Sequence, residues 1–249
     1  MKDLYLLNPE ITFLNHGSFG ACPKPVFEEY QRWQHKLEQQ PVEFMARDIY
    51  DYLKEARDSL GKFVGCFGDD LVYVTNPTTA VNTIIRSLDF GPGDEILTTD
   101  QEYGALIRTW NQYADKRGFK LVEHVTQFPM TTHEDFVNKF WSDVNEKTKV
   151  IFISQITSAT GVILPAEEIC RRAKAEGIMT IIDGAHVPAH IPLSISEMDP
   201  DVYVGACHKW LSAPKGSSFM YVKNSLQENV NPLIISWGSE VDPSPSPFI

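Results

Sequence analysis

The chain of 249 residues carries 33 acidic against 22 basic side chains, for a formal net charge of −11, with 43% hydrophobic and 22% charged residues. That balance excludes disorder and fibrous architectures and fits one large α/β domain or two small ones. So acidic a surface is repelled by phosphate backbones and anionic lipid, which excludes nucleic acid and membrane as expected partners but leaves room for a local basic pocket that takes a small anion.

The opening, Met1 to Glu10, is too short and too polar for a signal peptide, and no apolar run approaches the roughly 18 residues of a membrane span. Cys22, Cys66, Cys170 and Cys207 lie far apart with no CxxC pair, as expected of reduced thiols in a cytoplasmic protein. Helices are predicted over 25–39 and 44–64, the second from the spacing of Tyr50, Leu53, Ala56 and Leu60. A strand over 71–75, a helix over 79–88, a turn at 91–94 and a strand over 95–99 follow. Next come a helix over 105–116 stopped by Gly118 and a strand over 121–126. The run 150–154 is continuously apolar, as in a strand covered on both faces. A helix over 166–176 stopped by Gly177 and strands over 179–182, 202–206 and 218–222 complete the series. This alternation predicts a mostly parallel sheet with helices on both faces. The Pro/Ser-rich tail, 241–249, reads as a linker.

Ligands of such sheets sit at the carboxyl ends of the strands, so the residues after each strand are the candidates. Asn76-Pro77-Thr78-Thr79-Ala80 opens a helix and supplies hydroxyls and unpaired N–H groups, either an anion site or an ordinary Thr cap. Neither GxGxxG nor GxxxxGK[ST] occurs, so a flavodoxin- or Rossmann-like binding module lacks its fingerprint. Asp183 follows a buried strand and is either a ligand-facing carboxylate or a turn cap. Asp183, His186 and His190 also have a metal-like spacing, but Pro188 interrupts the helix that would align the histidines, and no metal is expected. Cys207 and His208 are neighbours in an extended segment and point apart, which argues against a nucleophile–base pair. Lys209 stands among apolar and aromatic residues, where desolvation would depress its pKa and allow a Schiff base; a solvated surface lysine is the ordinary alternative. A phosphate-type helix start, the aromatic Tyr103, Asp183 and Lys209 together match what pyridoxal phosphate requires.

These segments resemble the class V aminotransferase family of pyridoxal-phosphate enzymes, in its isopenicillin N epimerase-like and cysteine desulfurase-like branch. The resemblance rests on Asn15-His16-Gly17-Ser18-Phe19-Gly20, Thr75 to Ala80, Glu102-Tyr103-Gly104-Ala105, Asp183-Gly184-Ala185-His186, His208-Lys209-Trp210-Leu211, Pro214-Lys215-Gly216 and Ser236-Trp237-Gly238. It implies the α/β large domain of fold type I, with a mostly parallel, mixed seven-stranded sheet. By this likeness residues 1–20 are an arm lining the site, 21–235 the cofactor-binding domain, and 236–249 the start of a linker to a small domain. Pyridoxal 5′-phosphate is the implied cofactor, held by Lys209 as an internal aldimine, with Asp183 on the pyridine nitrogen. Thr78, Thr79 and His208 would bind its phosphate, Tyr103 would stack on its ring, and His186 would meet its phenolic oxygen. Asn15 and His16 would line the substrate side, with Trp237 and Gly238 nearby, and relatives are homodimers.

The likeness has gaps. Ala206 stands where desulfurases carry a phosphate-binding Ser, and 40 residues follow Lys209 (249 minus 209) where relatives continue well past a hundred. The substrate-carboxylate arginine and the persulfide-forming cysteine of desulfurases have no counterpart here. The resemblance implies an amino-acid substrate whose α-proton passes to Lys209, with Tyr103 or His16 as the second acid if the outcome is epimerisation. C–S bond cleavage, transamination and an inactive cofactor-binding fragment are the other outcomes.

Overall fold

The computed structural model describes residues 2–236. Helix α1 (Lys24–Gln39) opens on Pro25, whose fixed φ suits a first turn. The predicted helix over 44–64 is divided: a short α2 (Pro41–Glu43), a π-helical turn (Phe44–Asp48), then α3 (Ile49–Val64). The π turn widens the backbone where Phe44 tucks in against Trp33 and Tyr52. Strand β1 (Leu71–Val74) leads into α4 (Pro77–Ser87), which starts two residues before the position predicted because Asn76, rather than a threonine, is the cap. Then follow β2 (Glu95–Thr99), α5 (Gly104–Arg117) and β3 (Lys120–His124), with α5 ending at Gly118 as the sequence indicates. Helix α6 (His133–Trp141) was not anticipated; Thr132 caps it, accepting from Asp135 N–H at 3.0 Å. Strand β4 (Thr148–Ser154), helix α7 (Ala166–Glu176), strand β5 (Met179–Asp183) and the single-turn α8 (Ile195–Met198) come next. Strands β6 (Val202–Ala206) and β7 (Ser218–Val222) close the series.

The seven strands form one sheet in the order β1-β7-β6-β5-β4-β2-β3, parallel except that β7 runs against both β6 and β1. Alternation along β4 divides the core. Ile151 and Ile153 face one side with Phe136, Phe140 and Ile169, while Val150 and Phe152 face the other with Ile84, Leu106 and Trp110. Each fully buried side chain of this size contributes about 1.5–3 kcal/mol, so the two layers make the sheet a rigid platform for its strand ends. Among the described residues no helix is long and apolar enough to cross a membrane.

Candidate active site

The carboxyl ends of β4, β5 and β6 open into a cavity of about 880 Å³. Asp183 ends β5 and lies between Ser154 of β4 and Val204 of β6 in the strand register. It is 4% exposed, and its Oδ1 accepts a hydrogen bond from Ala185 N–H at 2.9 Å. Burial raises its pKa, against the opposing effects of that hydrogen bond and of Lys209. Lys209 follows β6 by three residues, and its Nζ lies 3.1 Å from His186 Nε2. Burial lowers the lysine pKa, partly offset by the Asp183 charge. His186 is pushed down to about 4, by burial first and then by Lys209 and His190. The lysine and the carboxylate that sequence reasoning paired therefore meet in one low-dielectric cavity, each biased toward its neutral form.

On the opposite wall, Asn76 caps α4 by accepting from Thr79 N–H at 2.8 Å and from its hydroxyl at 3.1 Å. Thr78 and Thr79 line the cavity at this helix start, where the helix dipole favours an anion. His208 also lines the cavity, and its Nδ1–H donates to the Ser217 carbonyl at 3.0 Å. Tyr103, at the cap position of α5, is half exposed over the cavity.

The N-terminal arm closes one side. Gly20 N–H donates to the His208 carbonyl at 3.0 Å, and the Lys215 ammonium donates to the Gly20 carbonyl. A Cβ at Gly20 would stand 2.1 Å from the Lys209 carbonyl oxygen, so only glycine allows this approach. Asn15 reaches the cavity, its Oδ1 held by Ser18 N–H at 3.0 Å. His16 is not among the lining residues; it stacks on Trp210 with centroids 6.3 Å apart, with Tyr5 and Phe13 edge-on. Trp237 and Gly238 lie outside the described residues. Cys207 points into the core, where burial pushes its thiol up to about 11. His190 Nδ1 donates to the His186 carbonyl at 3.0 Å.

Sequence reasoning quoted Glu102 but gave it no role. Its side chain is buried below the cavity wall, where Oε1 accepts from the Thr99 hydroxyl at 2.7 Å and Oε2 from the Ser154 hydroxyl at 2.6 Å. Burial pushes its pKa up to about 7 against those two bonds, and the Asp183 charge adds to the rise. A carboxylate immediately after a buried strand, beside Tyr103, was the signal available.

The chain is similar to known proteins of one family. The family model for aminotransferase class-V matches residues 20–243. Isopenicillin N epimerase of Streptomyces clavuligerus is 35% identical over 236 residues, spanning 94% of this chain and 59% of its own length. An L-cysteine desulfhydrase-like protein of Epichloe uncinata is 31% identical over 230 residues, spanning 89% of this chain and 49% of its own. Among solved structures, a lysine-to-alanine mutant of C-DES, with glycine covalently linked to its PLP cofactor, superposes with a TM-score of 0.85 at 23% identity, covering 95% of this chain and 63% of that one. The chain thus spans about half to three-fifths of the length of these curated relatives. The family match covers most of the chain, and the chain belongs to the class V aminotransferase family, whose cofactor is pyridoxal 5′-phosphate.

Proposed function

We propose that the cavity binds pyridoxal phosphate and that the protein moves the α-proton of an amino-acid substrate, in the manner of the epimerase relatives. The observation that carries this reading is the placement of Lys209, a partly buried amine with lowered pKa, in one cavity with the buried Asp183 carboxylate. The residues present fit the cofactor: an anion-favouring helix start, the buried Asp183 carboxylate and the partly buried Lys209 amine line one cavity. Lys209 would hold it covalently through Nζ. Asp183 would keep a proton on its ring nitrogen, because a buried carboxylate is stabilised by a cation beside it. Thr78, Thr79 and His208 would take the phosphate, Tyr103 would cover the ring, and His186 would meet the phenolic oxygen.

Once bound, the cofactor supplies an electron sink for the pair left when the α-proton departs. Lys209, whose burial disfavours the ammonium form, is the group that accepts that proton. Inversion needs a second acid on the other face of the substrate. Tyr103 lines the cavity and can serve, whereas His16 would first have to leave its stack on Trp210. The desulfhydrase-like relative supports a second reading, C–S cleavage of a cysteine-type substrate. A homodimer of the whole protein belongs to the same proposal.

The test is borohydride reduction of the chain with added pyridoxal phosphate, followed by peptide mapping. A reduced adduct on Lys209 supports the reading; no adduct from a folded sample, or an adduct confined to another lysine, overturns it. Solvent deuterium appearing at the α-carbon of recovered substrate marks epimerisation, and release of sulfide marks C–S cleavage.

A further inference from the structure

We propose that Trp210 is a positioning residue whose indole N–H fixes the tautomer of His186, placing the single imidazole proton on Nε2 against Lys209 Nζ. The indole nitrogen can only donate. It lies 3.3 Å from His186 Nδ1, so Nδ1 is an acceptor and carries no proton. A neutral imidazole then has its proton on Nε2, which lies 3.1 Å from Lys209 Nζ. Nζ must therefore accept, and an amine accepts only when it is neutral. The ordinary lysine–histidine pair has the reverse arrangement, an ammonium donating to Nε2 and a proton on Nδ1. Here that arrangement would set the Nδ1–H against the indole N–H.

The indole is clamped in place. The His190 ring stacks on it with centroids 4.3 Å apart and planes 21° apart, and His16 stacks at 6.3 Å and 26°. His190 is itself tied to the His186 carbonyl through Nδ1 at 3.0 Å. Gly17 leaves room for the pair: a Cβ there would come within 3.3 Å of the indole and 3.4 Å of the His186 ring. Burial lowers the pKa of Lys209 and of His186, which disfavours the charged form of each. Burial alone would not choose the tautomer. Trp210 does, and the His186 Nε2–H that results is a donor suited to a phenolic oxygen.

This inference extends the cofactor reading but is measured without cofactor, so the two fail separately. The full chain, labelled with nitrogen-15 histidine and without added pyridoxal phosphate, should show His186 as one species, protonated at Nε2 and bare at Nδ1. In Trp210→Phe a species protonated at Nδ1 should appear. Acylation of Lys209 at neutral pH, followed by peptide mass spectrometry, should slow about tenfold for each unit by which the lysine pKa rises. In a His186→Gln background the tryptophan substitution should add nothing, because glutamine has no tautomer to choose. A wild-type spectrum with the proton on Nδ1 overturns the proposal whether or not the variant folds. So does a folded Trp210→Phe whose His186 pattern and Lys209 acylation rate are unchanged.

Discussion

At the floor of the cavity, Asp183 lines the surface and Glu102 lies behind it on Ser154, 4% and 8% exposed, whereas Leu14 and Phe19, at its rim, are 83% and 69% exposed. The floor stands on strand ends fixed by the sheet register and by hydrogen bonds such as Ser154 to Glu102 at 2.6 Å. The rim stands on an arm held by a few contacts around Gly20. Charges confined in a low dielectric change their pKa and can do chemistry; exposed apolar side chains on a loop cannot, but they can choose what enters. The floor should therefore serve many relatives of different activity, and the rim should distinguish among them.

The largest expected effect breaks the floor outright. Lys209→Ala should abolish the borohydride-trapped adduct while leaving the far-ultraviolet circular dichroism of the chain intact. Asp183→Asn should still bind cofactor, seen as a visible absorption band, but turnover should fall on the order of 100-fold, as when a preorganised charge is lost. Full turnover in that variant would separate Asp183 from the ring.

Glu102→Gln tests the floor through pH. With a folded pKa of about 7 against an ordinary value of 4.5, Glu102 keeps its proton in the folded chain across a range where the unfolded chain has lost it. Stability should therefore fall as pH rises from 4.5 to 7, by on the order of 3 kcal/mol, and level off above. Urea unfolding at pH 4.5 and pH 8 should show a smaller difference in the glutamine variant. Gly20→Ala, which forces a Cβ onto the Lys209 carbonyl, should cost about 1–3 kcal/mol in the same assay. The smallest effect concerns the rim: Phe19→Ser should change stability by no more than about 0.5 kcal/mol. If the rim selects substrate, the same variant should change KM and leave the trapped adduct on Lys209 unchanged.

The sequence made the sheet legible because its central strands are buried on both faces and read as short runs rich in β-branched and aromatic residues, 150–154 and 202–206 among them. Helix α7 was legible from its periodicity and from the glycine at its end. Helix α6 escaped because only Thr132 and Asp135 mark its start, a signal that a polar loop also carries. Lys209 and Asp183 were found because each follows a strand. Glu102 follows β2 just as closely, but whether such a carboxylate lies under the wall or in solvent depends on Ser154, 52 residues away. The part played by Trp210 was hidden for a related reason: a hydrogen bond to His186 Nδ1 depends on ring orientation, which no spacing encodes.

Among the described residues strand β1 has one neighbour, β7, which begins 144 residues after β1 ends (218 minus 74). A nascent chain emerging from the ribosome therefore holds the α4 end of the cavity without its sheet partner until nearly all of the domain has been made. Such distant pairing is slow, and it leaves an open strand edge for much of synthesis. The α4 side and the Lys209 side of the cavity should accordingly be joined late, in the same event that brings β7 between β1 and β6.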